Sequence, residues 1–134
     1  MKKQLKKREV YMEKLLQKAQ EVADLMLKDY DNWTKRCAEA NGWDYRSSEE
    51  KGVTITLEEG RNFIKFVKTD GQSCVNGFVV KNPPKGIDNK TGKPFQVGDL
   101  LMAASWSAPA KNFARGNVFQ PETLGKCIRW TGVL

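Results

Sequence analysis

The first third of the chain repeats its apolar residues at helical spacing. Leu15, Ala19, Val22, Met26, Tyr30, Trp33 and Cys37 are separated by 4, 3, 4, 4, 3 and 4 positions, which lays them along one face of an α-helix. Glu13, Lys14, Lys18, Glu21, Lys28 and Lys35 fall on the other sides and solvate them. Asn41-Gly42 is a good helix stop. A single helix to residue 40 would be about 45–55 Å long, longer than a domain of this size is wide. That length leaves two expectations. Either the helix bends near Asp29-Tyr30-Asp31-Asn32, with Asp31 or Asn32 capping a new helix from Trp33, or its N-terminal half packs on another copy in a homo-oligomer.

Beyond a polar connector from Trp43 to Lys51 the period changes from 3.6 to 2. Val53-Thr54-Ile55-Thr56-Leu57 alternates strictly and predicts a half-buried strand. Asn62 to Lys68 is next, a strand apolar on both faces, hence central, and Asp70-Gly71 predicts a hairpin into a return strand from Ser73 to Lys81. Gly77 within it marks a bulge or a close backbone approach. A long loop, Asn82 to Pro94, precedes a fourth strand expected from Phe95 to Trp106. Ser107 to Leu124 reads as irregular, and Gly125 to Leu134 as a fifth strand with Cys127, Ile128, Trp130 and Val133 as its apolar content. The expected fold is α+β: an N-terminal helix or bent helix pair on an antiparallel sheet of about five strands. One domain spans residues 1–134, with a helical part over 1–42 and a β-rich part over 52–134.

Composition narrows the chemistry. There is no histidine, which removes the usual general base near neutral pH and the commonest metal ligand. Acids are few after residue 50: Glu58, Glu59, Asp70, Asp88, Asp99 and Glu122. A paired-carboxylate hydrolase is therefore not expected, nor is any enzyme, metal site or cofactor. Cys37, Cys74 and Cys127 are odd in number, far apart and without CxxC spacing. With no apolar signal segment after Met1 and no membrane-spanning run, they are expected to be reduced, mostly buried thiols of a cytoplasmic protein.

The net charge of +7 is unevenly placed. Residues 1–50 carry eleven Lys/Arg and ten Asp/Glu, whereas residues 51–134 carry twelve against six. Such an excess attracts polyanions. The opening Lys2-Lys3-Gln4-Leu5-Lys6-Lys7-Arg8 is a further small cationic cluster, best read as a solvated helix start.

Three places could hold chemistry. Trp106, Lys111, Asn112, Phe113, Arg115 and Asn117 lie within twelve residues, a mixture that can stack on a flat ring and hold a phosphate, or equally plug a small β-structure. In Arg115-Gly116-Asn117 a guanidinium stands beside a residue able to adopt positive φ, which would turn backbone amides toward an anion. The long loop carries Lys85, Lys90 and Lys93 among glycines, the composition of a flexible basic loop flanking a groove. It lacks GxxxxGK[ST] and opens no helix, so it is not a P-loop. The third place is a sheet face with Lys65, Lys68, Asn76 and Phe78, a weak match to the logic of single-strand binders.

Ala103-Ala104-Ser105-Trp106-Ser107-Ala108-Pro109-Ala110-Lys111 with Ala114-Arg115-Gly116-Asn117 resembles short reading frames of tailed bacteriophages. In these a strand ending in Ala-Ser-Trp runs through Pro-x-Lys into Arg-Gly-Asn, and the resemblance spans roughly residues 63–119. It implies a phage context inside a host cell, with host takeover or anti-defence as a role, and it carries over no activity and no binding residues. The expected function is a non-enzymatic module binding nucleic acid or a nucleotide. The alternative is a protein-interaction module that inhibits a host protein through its helix face or Trp-rich edge.

Overall fold

The computed structural model describes residues 2–134, with side chains described from Glu9 onward, so the Lys2–Arg8 cluster lies outside the described side chains. The predicted helical face folds as one element, α1 (Lys2–Asn41), 40 residues and about 60 Å long. It runs unbroken through Asp29–Asn32, so the bend expected there does not form. The acids there do not cap a second helix because they hold neighbouring elements instead. Asp29 Oδ2 accepts the Trp130 backbone N–H at 2.9 Å. Asp31 accepts the Ser48 N–H at 2.7 Å and its hydroxyl at 2.9 Å. Asn41-Gly42 ends the helix as expected, with Gly42 at φ +69° and the Trp43 N–H reaching back to the Ala38 carbonyl.

The connector contains one short helix, α2 (Ser48–Lys51), whose N-cap Ser47 accepts from the Glu50 N–H. Beyond it lie five antiparallel strands in the spatial order β1-β2-β3-β4-β5. They are β1 (Thr54–Glu59), β2 (Phe63–Asp70), β3 (Gln72–Val80), β4 (Asp99–Leu101) and β5 (Gly116–Asn117). The β2–β3 hairpin turns at Gly71, φ +74°, as Asp-Gly predicts. Gly77 fulfils both expectations for it. Phe66 faces Gly77 while Val67 faces Val75, so Asn76 is the extra residue of a bulge. A Cβ on Gly77 would stand 2.6 Å from Val133 Cγ2.

The last third departs from the expected strands. The fourth strand keeps only three residues, because Gly98 at φ +90° and the Gln96 N–H bound to Asp99 Oδ2 turn the chain just before it. The fifth sheet strand comes from the segment read as irregular, where Gly116–Asn117 pairs with β4. The C-terminus instead forms a short helix, α3 (Leu124–Cys127), and a separate hairpin of β6 (Ile128–Arg129) and β7 (Gly132–Val133). Its apolar residues are interior nonetheless: Cys127, Ile128 and Val133 are buried.

Both sheet faces are covered. On one, Leu15, Ala19, Val22 and Met26 of α1 pack with Ile55, Ile64, Phe66, Val79 and Leu100, and Val133 of the hairpin closes the cluster. On the other, Phe78, Val80 and Leu101 are sealed by Phe95, with Ala103 and Ala114 packed against them. The segment between β3 and β5, poor in regular structure, thus serves as a third layer. Each large side chain buried this way contributes about 1.5–3 kcal/mol. No helix among the described residues is long and apolar enough to cross a membrane.

Candidate functional site: a cationic cleft between two loops

The loop between β3 and β4 is organised by a single carboxylate. Asp88 is 5 % exposed. Its Oδ1 accepts the N–H groups of Lys90 and Thr91 at 2.8 and 3.2 Å, and its Oδ2 accepts the Ala114 N–H at 2.9 Å. The Asp88 backbone closes the same turn, through its N–H to the Lys93 carbonyl and its carbonyl to the Gly92 N–H. The Asn89 N–H adds a bond to the Asn112 carbonyl at 2.8 Å. Burial raises the Asp88 pKa, but the three amide donors and the Lys90 ammonium outweigh it and hold the pKa below the ordinary carboxylate value. The charge is therefore fixed at neutral pH, and it ties residues 87–94 to residues 112–115.

That tie builds a cleft of about 360 Å³. Lys90, Thr91 and Lys93 line it from the loop; Arg115, Gly116, Asn117, Gln120 and Thr123 line it from β5 and the turns around it. Arg115 is set in place by its own backbone, whose N–H donates to the Leu100 carbonyl at 2.8 Å. Its guanidinium lies 3.8 Å from the centre of the Phe113 ring. Its Nε is buried and has no hydrogen-bond partner among the described residues. None of Lys90, Lys93 and Arg115 enters an ion pair among the described residues, where Lys18–Glu21, Lys65–Glu58 and Lys81–Glu59 are the pairs formed. Asp99 also lines the cleft, but both its oxygens are occupied, by the Asn117 amide and the Gln96 N–H.

The residues singled out from the sequence divide into three groups. Lys90, Lys93 and Arg115 meet in the cleft. Phe113 supports Arg115, with Lys90 Nζ 5.9 Å from the same ring, so that ring already carries cations. Asn117 lines the cleft but is buried, and its side chain is engaged inside the fold. Its amide donates to the Val97 carbonyl and to Asp99, and its oxygen accepts from the Phe119 N–H. It is a structural residue rather than a free ligand contact. Neither Gly116 nor Asn117 has positive φ, so the anion-turning backbone expected there does not form. Gly116 is needed for space instead, since a Cβ would stand 2.9 Å from Thr123 Oγ1.

Trp106 and Lys111 lie outside the cleft. Trp106 is 51 % exposed, with Lys65 Nζ 4.6 Å from its ring centre. Lys111 Nζ sits 5.8 Å from the Phe63 ring. Asn112 is exposed and its Oδ1 accepts the Phe113 N–H. Lys85 does not line the cleft either. The sheet-face reading dissolves: Asn76 and Phe78 are buried, and Lys68 Nζ caps the Trp130 ring at 4.5 Å. The thiols differ from expectation too, for Cys127 is buried, Cys37 is half-buried and Cys74 is exposed; all three are free. Among the described residues no group of three Asp, Glu or Cys side chains is placed to hold a metal ion.

Sequence reasoning passes over Asp88, although Asp88-Asn89-Lys90-Thr91-Gly92 carries the signature of a carboxylate capping its own turn. It also passes over Gln120 and Thr123, which no motif marks. No family model, curated protein or solved structure matches this chain.

Proposed function

We propose that this protein is a non-enzymatic module that binds a phosphate-bearing ligand, a nucleotide or nucleic acid, at the cleft between residues 87–94 and 114–123. One observation carries this reading: Lys90, Lys93 and Arg115 converge from separate segments on one cleft, free of ion pairs among the described residues. Ammonium and guanidinium groups outside direct ion pairs offer phosphate oxygens donors that otherwise bond water. A volume of about 360 Å³ is in the range of small-ligand sites. The excess of cations over acids in residues 51–134 adds long-range attraction. In the phage setting that residues 103–117 resemble, such a module would serve host takeover or anti-defence.

The test is charge reversal within the cleft. Lys90→Glu with Lys93→Glu should weaken nucleotide or oligonucleotide binding by about tenfold or more, and wild-type affinity should fall as salt rises. Lys111→Glu, outside the cleft, serves as the control. Unchanged affinity in the double variant ends this reading.

A second reading, a protein-interaction module, is favoured by three exposed tryptophans: Trp33, Trp43 and Trp106, at 42 %, 66 % and 51 %. Trp33 and Trp43 line a separate hollow of about 340 Å³ at the end of α1, with Tyr30 and Tyr45. Aromatic surfaces of this kind supply binding hot spots. A stoichiometric protein complex that survives nuclease treatment and is lost on Trp43→Ala would support it over the first.

A further inference from the structure

Resting on the anionic-ligand reading, we infer that the cleft is built for a terminal phosphate, a phosphomonoester, with the Arg115 guanidinium as its anchor, rather than for the backbone of a strand passing through.

The arrangement of donors argues for an end. Arg115 is half-buried, with its Nε sealed but its terminal Nη groups not, while Lys90 and Lys93 are exposed. The two terminal Nη groups form a planar fork that takes two oxygens of one phosphate side by side. A phosphomonoester has three terminal oxygens, enough for the fork and a lysine at once. An internal phosphodiester offers two, and its chain must leave on both sides.

The surroundings argue against strand binding. Single-strand binders stack bases on free aromatic faces along a basic track. Here the Phe113 ring is already covered by Arg115 at 3.8 Å, and Trp106 lies elsewhere under Lys65. Among the described residues no aromatic side chain lines the cleft. The wall also holds Asp88 and Asp99, whose charges offset part of the field of the three cations. Such a site draws its selectivity from direct contact with Arg115. The ligand is therefore recognised by its phosphate, with little preference among bases.

The source of that phosphate, a free nucleotide or a phosphorylated strand end, is decided by the experiment. The full chain is titrated with 3′-labelled oligonucleotides bearing a 5′-phosphate or a 5′-hydroxyl, and with the four nucleoside monophosphates. The 5′-phosphate strand should bind about tenfold tighter than its hydroxyl counterpart, and the monophosphates should bind with affinities within about threefold of one another. Arg115→Lys keeps the charge but loses the fork, and should erase the preference for the phosphorylated end. Monophosphates that bind while neither strand does would make the free nucleotide the source, within the inference. Equal binding of both strand ends, with Lys90→Glu and Lys93→Glu still weakening both, overturns the terminal-phosphate inference and leaves the anionic-ligand reading standing. No binding by any phosphate ligand overturns both. The preference for the phosphorylated end is itself read on the wild-type chain, so that comparison does not depend on any variant folding.

Discussion

Single residues in this protein often do a job that their type alone does not announce. Asn117 has the composition of a ligand reader, yet its amide links Val97, Asp99 and Phe119 inside the fold. Gly77 looks like a tolerated break in a strand, yet it is a point where β3 touches the C-terminal hairpin, at φ +153° and with no room for a Cβ. Gly77→Ala should cost about 2–4 kcal/mol through strain and contact with Val133, seen as a lower urea midpoint. Gly125→Ala, where nothing lies within 4 Å of the added carbon, should stay within about 0.5 kcal/mol. Equal midpoints for the two variants would mean that the hairpin yields to the added methyl.

At the level of elements, local pattern and tertiary partnership contribute unequally. The helical period of α1, the Asn-Gly stop and the Asp-Gly hairpin are short-range signals, and each forms where the sequence places it. Strands β4 and β5 have three and two residues, too few for a period to show. Their existence depends on β3 offering a free edge. The loop from Asn82 to Pro94 has the composition of a flexible one, but Asp88 braces it with three amide bonds. Asp88→Asn places an amide where the Ala114 N–H needs an acceptor and should cost about 1–3 kcal/mol. The pH dependence has a definite sign. Because the folded-state pKa of Asp88 is lowered, its contribution is complete above the unfolded value of about 4 and is lost as pH falls through the folded value. Wild type should therefore lose stability on acidification below about pH 4 more steeply than Asp88→Asn, and parallel curves would show that this carboxylate is not held as described.

For the whole molecule, the two sheet faces are covered by quite different material: a long helix on one side, a chain of turns on the other. That division sets the accessibility of the three thiols. Cys74 lies on the exposed part of β3, Cys37 is half-buried on α1, and Cys127 is sealed at the end of α3 against the core. Burial also raises the Cys127 thiol above its usual pKa, which lowers the fraction of reactive thiolate further. A disulfide reagent at neutral pH should label Cys74 rapidly, Cys37 more slowly, and Cys127 only at the rate of opening of the core, a protection of roughly a thousandfold or more. Equal labelling of Cys127 and Cys74 would contradict the packing of the C-terminal hairpin.

What the chain determined alone was carried by neighbours within a few residues. The apolar stripe of α1, the alternation in β1, the two-faced β2 and the turn at Gly71 need only periodicity and backbone preference, so they could be read directly. The same holds for what is missing, since the lack of histidine closes off chemistry whatever the fold. Only the tertiary structure decided that Asp29 and Asp31 hold other elements instead of breaking the helix, because their partners, Trp130 and Ser48, are 101 and 17 residues away. It also decided which cations meet. Lys90 and Arg115 are 25 positions apart, and Lys111 and Arg115 only four, yet the first pair shares the cleft and the second does not. Spacing along the chain places a side chain on its own element. Which elements face one another is decided by the sheet and by one buried carboxylate, whose Oδ2 accepts an N–H 26 residues on.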